Sequence, residues 1–162
     1  MYQLFVTVGS RFPMDRLISS VDDFVSTRQD FDAFAQIGSS DYQAQSLSCE
    51  SFLDKSDFIQ QFVQSDIIIS HAGMGNVLLA REKNKKIILL PRRKELGEHI
   101  NNHQVDTVNG LKTYPNIFVI EDEKELPNII DYALMQEESI EKSESEEKKK
   151  LILSLREYIS DE

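Results

Sequence analysis

The sequence predicts one α/β domain built on a doubly wound, Rossmann-like parallel sheet, and three observations carry that expectation. Short β-branched apolar runs alternate with helix-compatible stretches, the runs are apolar at successive positions, and Gly, Ser or Pro bounds them. Runs apolar on both faces belong to parallel strands covered by helices on either side. At 162 residues the chain is long enough for one core and short for two ordinary domains.

Taken in order, Leu4–Val8 reads as the first strand and Met14–Ser26 as the helix that follows it. Phe34–Ile37 is the next strand, then Lys55–Gln64 a helix, then Asp66–Ser70 a strand running into a helix at Asn76–Lys83. Ile87–Leu90 and Ile117–Ile120 complete the strands, with helices expected over Glu98–Leu111 and Glu125–Leu134. Residues 1–136 form the domain, and 137–162 form a charged helical tail in which 14 of 26 residues are charged, too polar for a core of its own. Glu137–Glu147 reads as a solvated helix or flexible link. Leu151, Leu155, Tyr158 and Ile159 share one helical face, suited either to packing back on the domain or to docking on a partner.

Composition narrows the function classes. A net charge of -10 repels a nucleic-acid backbone, and the short basic clusters Arg92-Arg93-Lys94 and Lys148–Lys150 do not reverse that. Cys49 stands alone, so no internal disulfide forms, and Met1–Val8 lacks the basic flank and long apolar run of an export signal. No apolar run approaches the roughly 20 residues that cross a bilayer. The expectation is a cytoplasmic chain without a membrane span, its self-association left open.

Ligands of a doubly wound sheet bind at the carboxyl ends of its strands. Gly9-Ser10, Gly38-Ser39, Ser70–Gly75 and Pro91–Arg93 all follow strands and gather on that edge. Ser70-His71-Ala72-Gly73-Met74-Gly75 breaks a strand into a helix, which offers unpaired amides and the positive helix end to an anion. Gly73 and Gly75 are expected to reach positive φ and approach phosphate oxygens closely, although a plain strand-to-helix turn explains them too. His71 either donates to a phosphate or holds the loop. Gly9-Ser10 can present a second set of amides or simply start the next helix. Arg92 and Arg93 offer forked guanidinium pairing to phosphate, against the alternative of a salt-bridged surface pair. His99 and His103 fall four apart on the expected helix and share a face with Gln104 beside them. That spacing also admits zinc, with Glu98 and Asp106 to complete a site, but zinc leaves the glycine loop and the arginines unexplained.

FVTVGS (Phe5–Ser10) with Asp15-Arg16-Leu17-Ile18, SDIIISHAGMGN (Ser65–Asn76) and LLPRRKELGEHINNHQ (Leu89–Gln104) resemble the carboxyl-terminal half of family 28 glycosyltransferases in order and placement. The resemblance spans about Met1 to Leu134 and extends to stand-alone small subunits of two-component exopolysaccharide glycosyltransferases. It implies a single GT-B half-domain that binds a UDP-sugar as donor substrate, with no cofactor and no metal. A membrane-associated acceptor-binding subunit then supplies the other half, placing the pair at the inner face of the membrane. The implied reaction is inverting transfer of a hexose to a lipid-linked saccharide acceptor in surface polysaccharide assembly. Implied donor contacts are Gly9, Ser10, His71, Gly73, Met74, Gly75, Asn76, Arg92, Arg93, Glu98, His99, His103 and Gln104.

One departure stands out. Many family members carry a ribose-gripping glutamate about eight residues after the HAG histidine, where this chain has Leu79, with Glu82 three residues further on. No catalytic base emerges either, since nothing singles out Asp15 or Glu98. A non-catalytic nucleotide-sugar-binding or regulatory subunit and a UDP-sugar epimerase-like enzyme therefore remain as alternatives.

Overall fold

The computed structural model describes residues 1–136 and Leu153, so the tail face at Leu151, Leu155, Tyr158 and Ile159 lies outside the described residues. Six parallel strands form one sheet: β1 (Tyr2–Thr7), β2 (Phe31–Gln36), β3 (Ser48–Glu50), β4 (Ile67–His71), β5 (Lys86–Leu90) and β6 (Ile117–Val119). Their spatial order is β3-β2-β1-β4-β5-β6. The helices are α1 (Asp15–Ser26), α2 (Lys55–Gln64), α3 (Met74–Glu82), α4 (His103–Asn109) and α5 (Leu126–Met135). Sequence order reverses direction across the sheet between β1 and β4, which opens a crevice at their carboxyl ends.

Alternation along each central strand divides the core in two. Leu4, Val6, Ile67, Ile69, Ile88 and Leu90 face a cluster completed by Leu17, Ile18 and Val21 of α1 and Leu126 and Ile130 of α5. Phe5, Ile68, Ile87 and Leu89 face the other way, onto Phe62 of α2, Val77 and Ala80 of α3 and Val108 of α4. The period of two explains why these strands read as unbroken apolar runs.

Element ends follow local chemistry. Asp54 caps α2 by accepting from the Asp57 amide, and Asp122 with Glu125 forms a capping box ahead of α5. α3 stops where Asn84 turns left-handed at φ +53°, a conformation asparagine tolerates. Two expectations need correction. β3 lies outside the sequence expectation, because its three residues, Ser48-Cys49-Glu50, form no apolar run and only Cys49 among them packs on the core. The helix expected over Glu98–Leu111 forms only at His103–Asn109. Gly97 at φ +71° ends a 3-10 turn at Lys94–Leu96, Asn102 Oδ1 accepts from the Lys94 amide, and Asn101 Oδ1 accepts from the His103 amide. Asparagine side chains thus take backbone donors that a helix would have used.

Candidate functional site

Two bends, after β1 and β4, meet at the crevice, and a third, after β2, supports the first. Past β1, Gly9 adopts φ +74°, and past β2, Gly38 adopts φ +60° with a Cβ position only 2.2 Å from the Gly9 carbonyl oxygen. Only glycine fits there, so the bend after β2 buttresses the one after β1. Past β4, Gly73 caps α3 without any side-chain hydrogen bond, leaving the first-turn amides of Met74 and Gly75 without intrahelical acceptors. Neither Gly73 nor Gly75 is left-handed, contrary to the expectation from sequence. Gly73 is extended at φ -78°, and a Cβ there would stand 2.4 Å from His71 Nε2. A Cβ on Gly75 would meet nothing within 4 Å. The first glycine makes room for an imidazole, and the second leaves open space at the helix start.

His71 joins the bends. Its Nδ1 lies 3.3 Å from the Thr7 carbonyl oxygen on β1, and its ring reaches within 3.0 Å of the missing Gly9 Cβ. Burial holds its pKa down to about 4, helped by the positive charge of Arg92 and by His99 and opposed by the Thr7 carbonyl. The ring is neutral near pH 7. Asn76 donates to Ser70 Oγ at 2.9 Å and ties α3 to the end of β4, while the Met74 side chain sits in the core, leaving its amide for the site.

Gly9, Ser10, Arg11, Phe12, His71, Arg92, His99 and Gln104 enclose a cavity of about 230 Å³. The loop after β5 supplies its far wall, and a buried frame sets that loop. Arg16 Nε donates to Glu98 Oε1 at 2.6 Å and Nη2 to Oε2 at 3.0 Å; Nη2 also reaches the Pro91 carbonyl at 2.9 Å, and Nη1 reaches Glu123 at 3.0 Å. Glu98 Oε2 also accepts from the Arg93 amide. Its carboxylate is spent on the frame, which assigns it positioning rather than the donor contact expected from the sequence. Arg92 is equally committed: buried, it donates to the carbonyls of Val8, Pro13 and Glu98. Its charge faces the cavity while its donors hold three loops, so the forked pairing expected of it is made with carbonyl oxygens. Arg93 donates to the Glu121 carbonyl at 2.6 Å and does not line the cavity.

His99 lies in the irregular stretch before α4, its ring 5.8 Å from Phe12, with Nδ1 accepting from the Asn101 amide. His103 begins α4 outside the cavity, so the two histidines share no helical face. Among the described residues no three His, Cys, Asp or Glu side chains gather in a way that could hold a metal ion. Gln104 accepts from the Arg92 amide at 3.1 Å, which leaves its NH2 group to offer the cavity. Leu79 packs against the core, and Glu82 ends α3, away from the loop at its start.

Two aromatic residues on this edge were not singled out from sequence. Phe12 lines the cavity, and Phe52, 58% exposed, follows β3. Ser51 accepts from the Gly38 amide at 2.9 Å, joining the Phe52 loop to the paired bends. An exposed aromatic just beyond a strand is the available signal, but β3 itself was illegible. A larger groove of about 600 Å³ runs along α1 and the start of α5, lined by Ser20, Phe24, Arg28 and Lys124 among others, away from the bends.

The fold is shared with solved glycosyltransferases. MurG from Acinetobacter baumannii superimposes with a TM-score of 0.61 at 11% identity, over 97% of this chain and 50% of that one. The glycotransferase of kitacinnamycin gives 0.60 at 15% identity over 96% of this chain and 38% of its own. This chain therefore spans half or less of either. The solution structure of ALG13 gives 0.56 at 20% identity, over 83% of this chain and 86% of that one. No protein of curated function matches the sequence significantly. The glycosyltransferase family 28 C-terminal domain matches residues 3–156, almost the whole chain, and the chain belongs to that family.

Proposed function

We propose that this chain is the donor-binding subunit of an inverting, metal-independent glycosyltransferase that moves a hexose from UDP to a lipid-linked saccharide during surface polysaccharide assembly. The observation that carries the reading is the meeting of the Gly9-Ser10 and His71–Gly75 bends at the switch point, beside a cavity bearing buried Arg92. Backbone amides and the α3 N-terminus suit a diphosphate, His99 and the Gln104 amide suit sugar hydroxyls, and Phe52 offers a face to the base. No cofactor enters the scheme.

Inverting transfer needs a group to accept the acceptor hydroxyl proton and charge stabilisation for the departing diphosphate. The site supplies the second. Glu98, the buried carboxylate beside the cavity, is held by Arg16 and does not serve as the base. In this reading a membrane-associated partner brings the acceptor, the base and the attachment to the inner membrane face. No helix among the described residues is long and apolar enough to cross a membrane.

Transfer assays with this chain, its partner and both together test the proposal. Sugar transfer from a UDP-hexose by the pair alone supports it, and UDP binding without transfer by the pair indicates a regulatory subunit. Calorimetry adds a check on the site: UDP should bind far more tightly than uridine, and equal affinities contradict the diphosphate cradle.

A further inference from the structure

The protons around His71 are assigned by its neighbours. Nδ1 lies 3.3 Å from the Thr7 carbonyl, which only accepts, and 3.4 Å from Ser70 Oγ. Ser70 spends its one proton on the His71 carbonyl at 2.7 Å and receives the Asn76 amide at 2.9 Å. Nδ1 therefore faces lone pairs on both sides and must carry the hydrogen. In the neutral ring Nε2 is then a bare lone pair, and it is this edge that lies against Gly9 and Gly73 between the two bends.

A phosphate oxygen brought to that edge is a second acceptor. Lone pair would meet lone pair unless a proton comes between them. The charged and titratable neighbours are Arg92 on the loop after β5 and His99 beyond it, with Arg11 across the cavity. From β1 the ring meets the Thr7 carbonyl and Gly9, and from α3 the Asn76 amide by way of Ser70. The nearby carboxylate, Glu98, is turned into its pair with Arg16. In the empty site burial and the Arg92 charge oppose a charged imidazole, and an arriving anion reverses the balance.

We propose that His71 takes up a proton from solvent as a diphosphate seats against the two bends, so that donor binding is a proton-coupled event at this imidazole. The proposal rests on the donor-site reading above and adds a linkage to it. His71 Nδ1–H stays on Thr7, and the new Nε2–H donates to a phosphate oxygen. Affinity then falls as pH rises through the bound-state pKa of His71, by at most about tenfold per pH unit. Below that pKa and above the free value of about 4, binding takes up close to one proton.

The full chain has three histidines, so 15N-histidine spectra resolve the ring directly. UDP-glucose, UDP-galactose and UDP-N-acetylglucosamine are the probes, because their diphosphates are diesters and lack the terminal ionisation of a phosphate monoester at about pH 6. The free protein should show a protonated Nδ1 and a bare Nε2 at His71, and the complex near pH 6.5 should show both nitrogens protonated. Calorimetry in buffers of differing ionisation enthalpy should report uptake that disappears in His71→Asn and persists in His99→Asn. If His71→Asn does not fold, the wild-type spectra decide alone. Binding with a bare Nε2 and no uptake between about pH 5.5 and 8 overturns the proposal and leaves the donor site standing. Failure of all three sugars to bind overturns the donor site instead.

Discussion

Residue by residue, the site rests on what glycine omits. Gly73→Ala would drive a Cβ to 2.4 Å from His71 Nε2, so the imidazole must move. Its expected effect is a loss of UDP affinity on the order of tenfold, about 1.4 kcal/mol, read by calorimetry. Gly75→Ala is the contrast: open space and a helical backbone predict a gain of up to about 1 kcal/mol in denaturant unfolding. The glycine pair was legible as a loop marker. Its two separate reasons were not, because the His71 ring comes between the bends only once β1 and β4 are paired.

Asp22 is a second buried residue that spacing concealed. Its carboxylate accepts from the amides of Gln45, Ser46 and Leu47 and from the Tyr42 hydroxyl, pinning the stretch before β3 to α1. Burial pushes its pKa up, but those four hydrogen bonds outweigh burial and hold it below the usual carboxylate value. The stabilisation is therefore present above the unfolded pKa of about 3.9 and is lost as pH falls through the lower folded value. Asp22→Asn should cost about 1–3 kcal/mol at neutral pH and reduce the loss of stability on acidification, as measured by denaturant titration across pH.

At the scale of elements, the decisive piece is the loop between β5 and α4. The sequence predicts helix over its last five residues, Glu98–Asn102, because their polar character conceals two asparagines that take backbone donors, just after a left-handed Gly97. What holds it is the Arg16–Glu98 pair, at side-chain exposures of 15% and 7%. Removing one buried partner leaves the other charge uncompensated, so Arg16→Met should destabilise by about 3–5 kcal/mol. Arg16→Lys keeps the charge but loses the fork, and should weaken UDP-hexose binding more than UDP binding if the loop shapes the sugar side. Equal losses for both ligands would assign the pair to stability alone. In α1, Arg16 lies in a segment that carries the family resemblance and Asp22 in no sequence pattern, and the role of neither is legible locally, since each acts on a distant loop.

Among the described residues, both clusters of buried side chains close within residues 4–133. A chain truncated after Gln136 should therefore unfold cooperatively and still bind UDP, with calorimetry and thermal melts as the check. Loss of cooperative unfolding would show that the tail completes the domain. The alternation of apolar runs and helices, the parallel sheet and the gathering of Gly9, His71 and Arg92 on one edge were determined by sequence alone, because backbone periodicity and the breaks that follow strands are local properties. Tertiary structure decided the rest. The order β3-β2-β1-β4-β5-β6 sets His71 between two glycines, turns Arg92 and Glu98 inward as a frame and leaves His103 outside the cavity. The physical reason is that a polar side chain's role depends on which groups share its burial, and those partners lie far away in the chain: Arg16 and Glu98 are 82 residues apart.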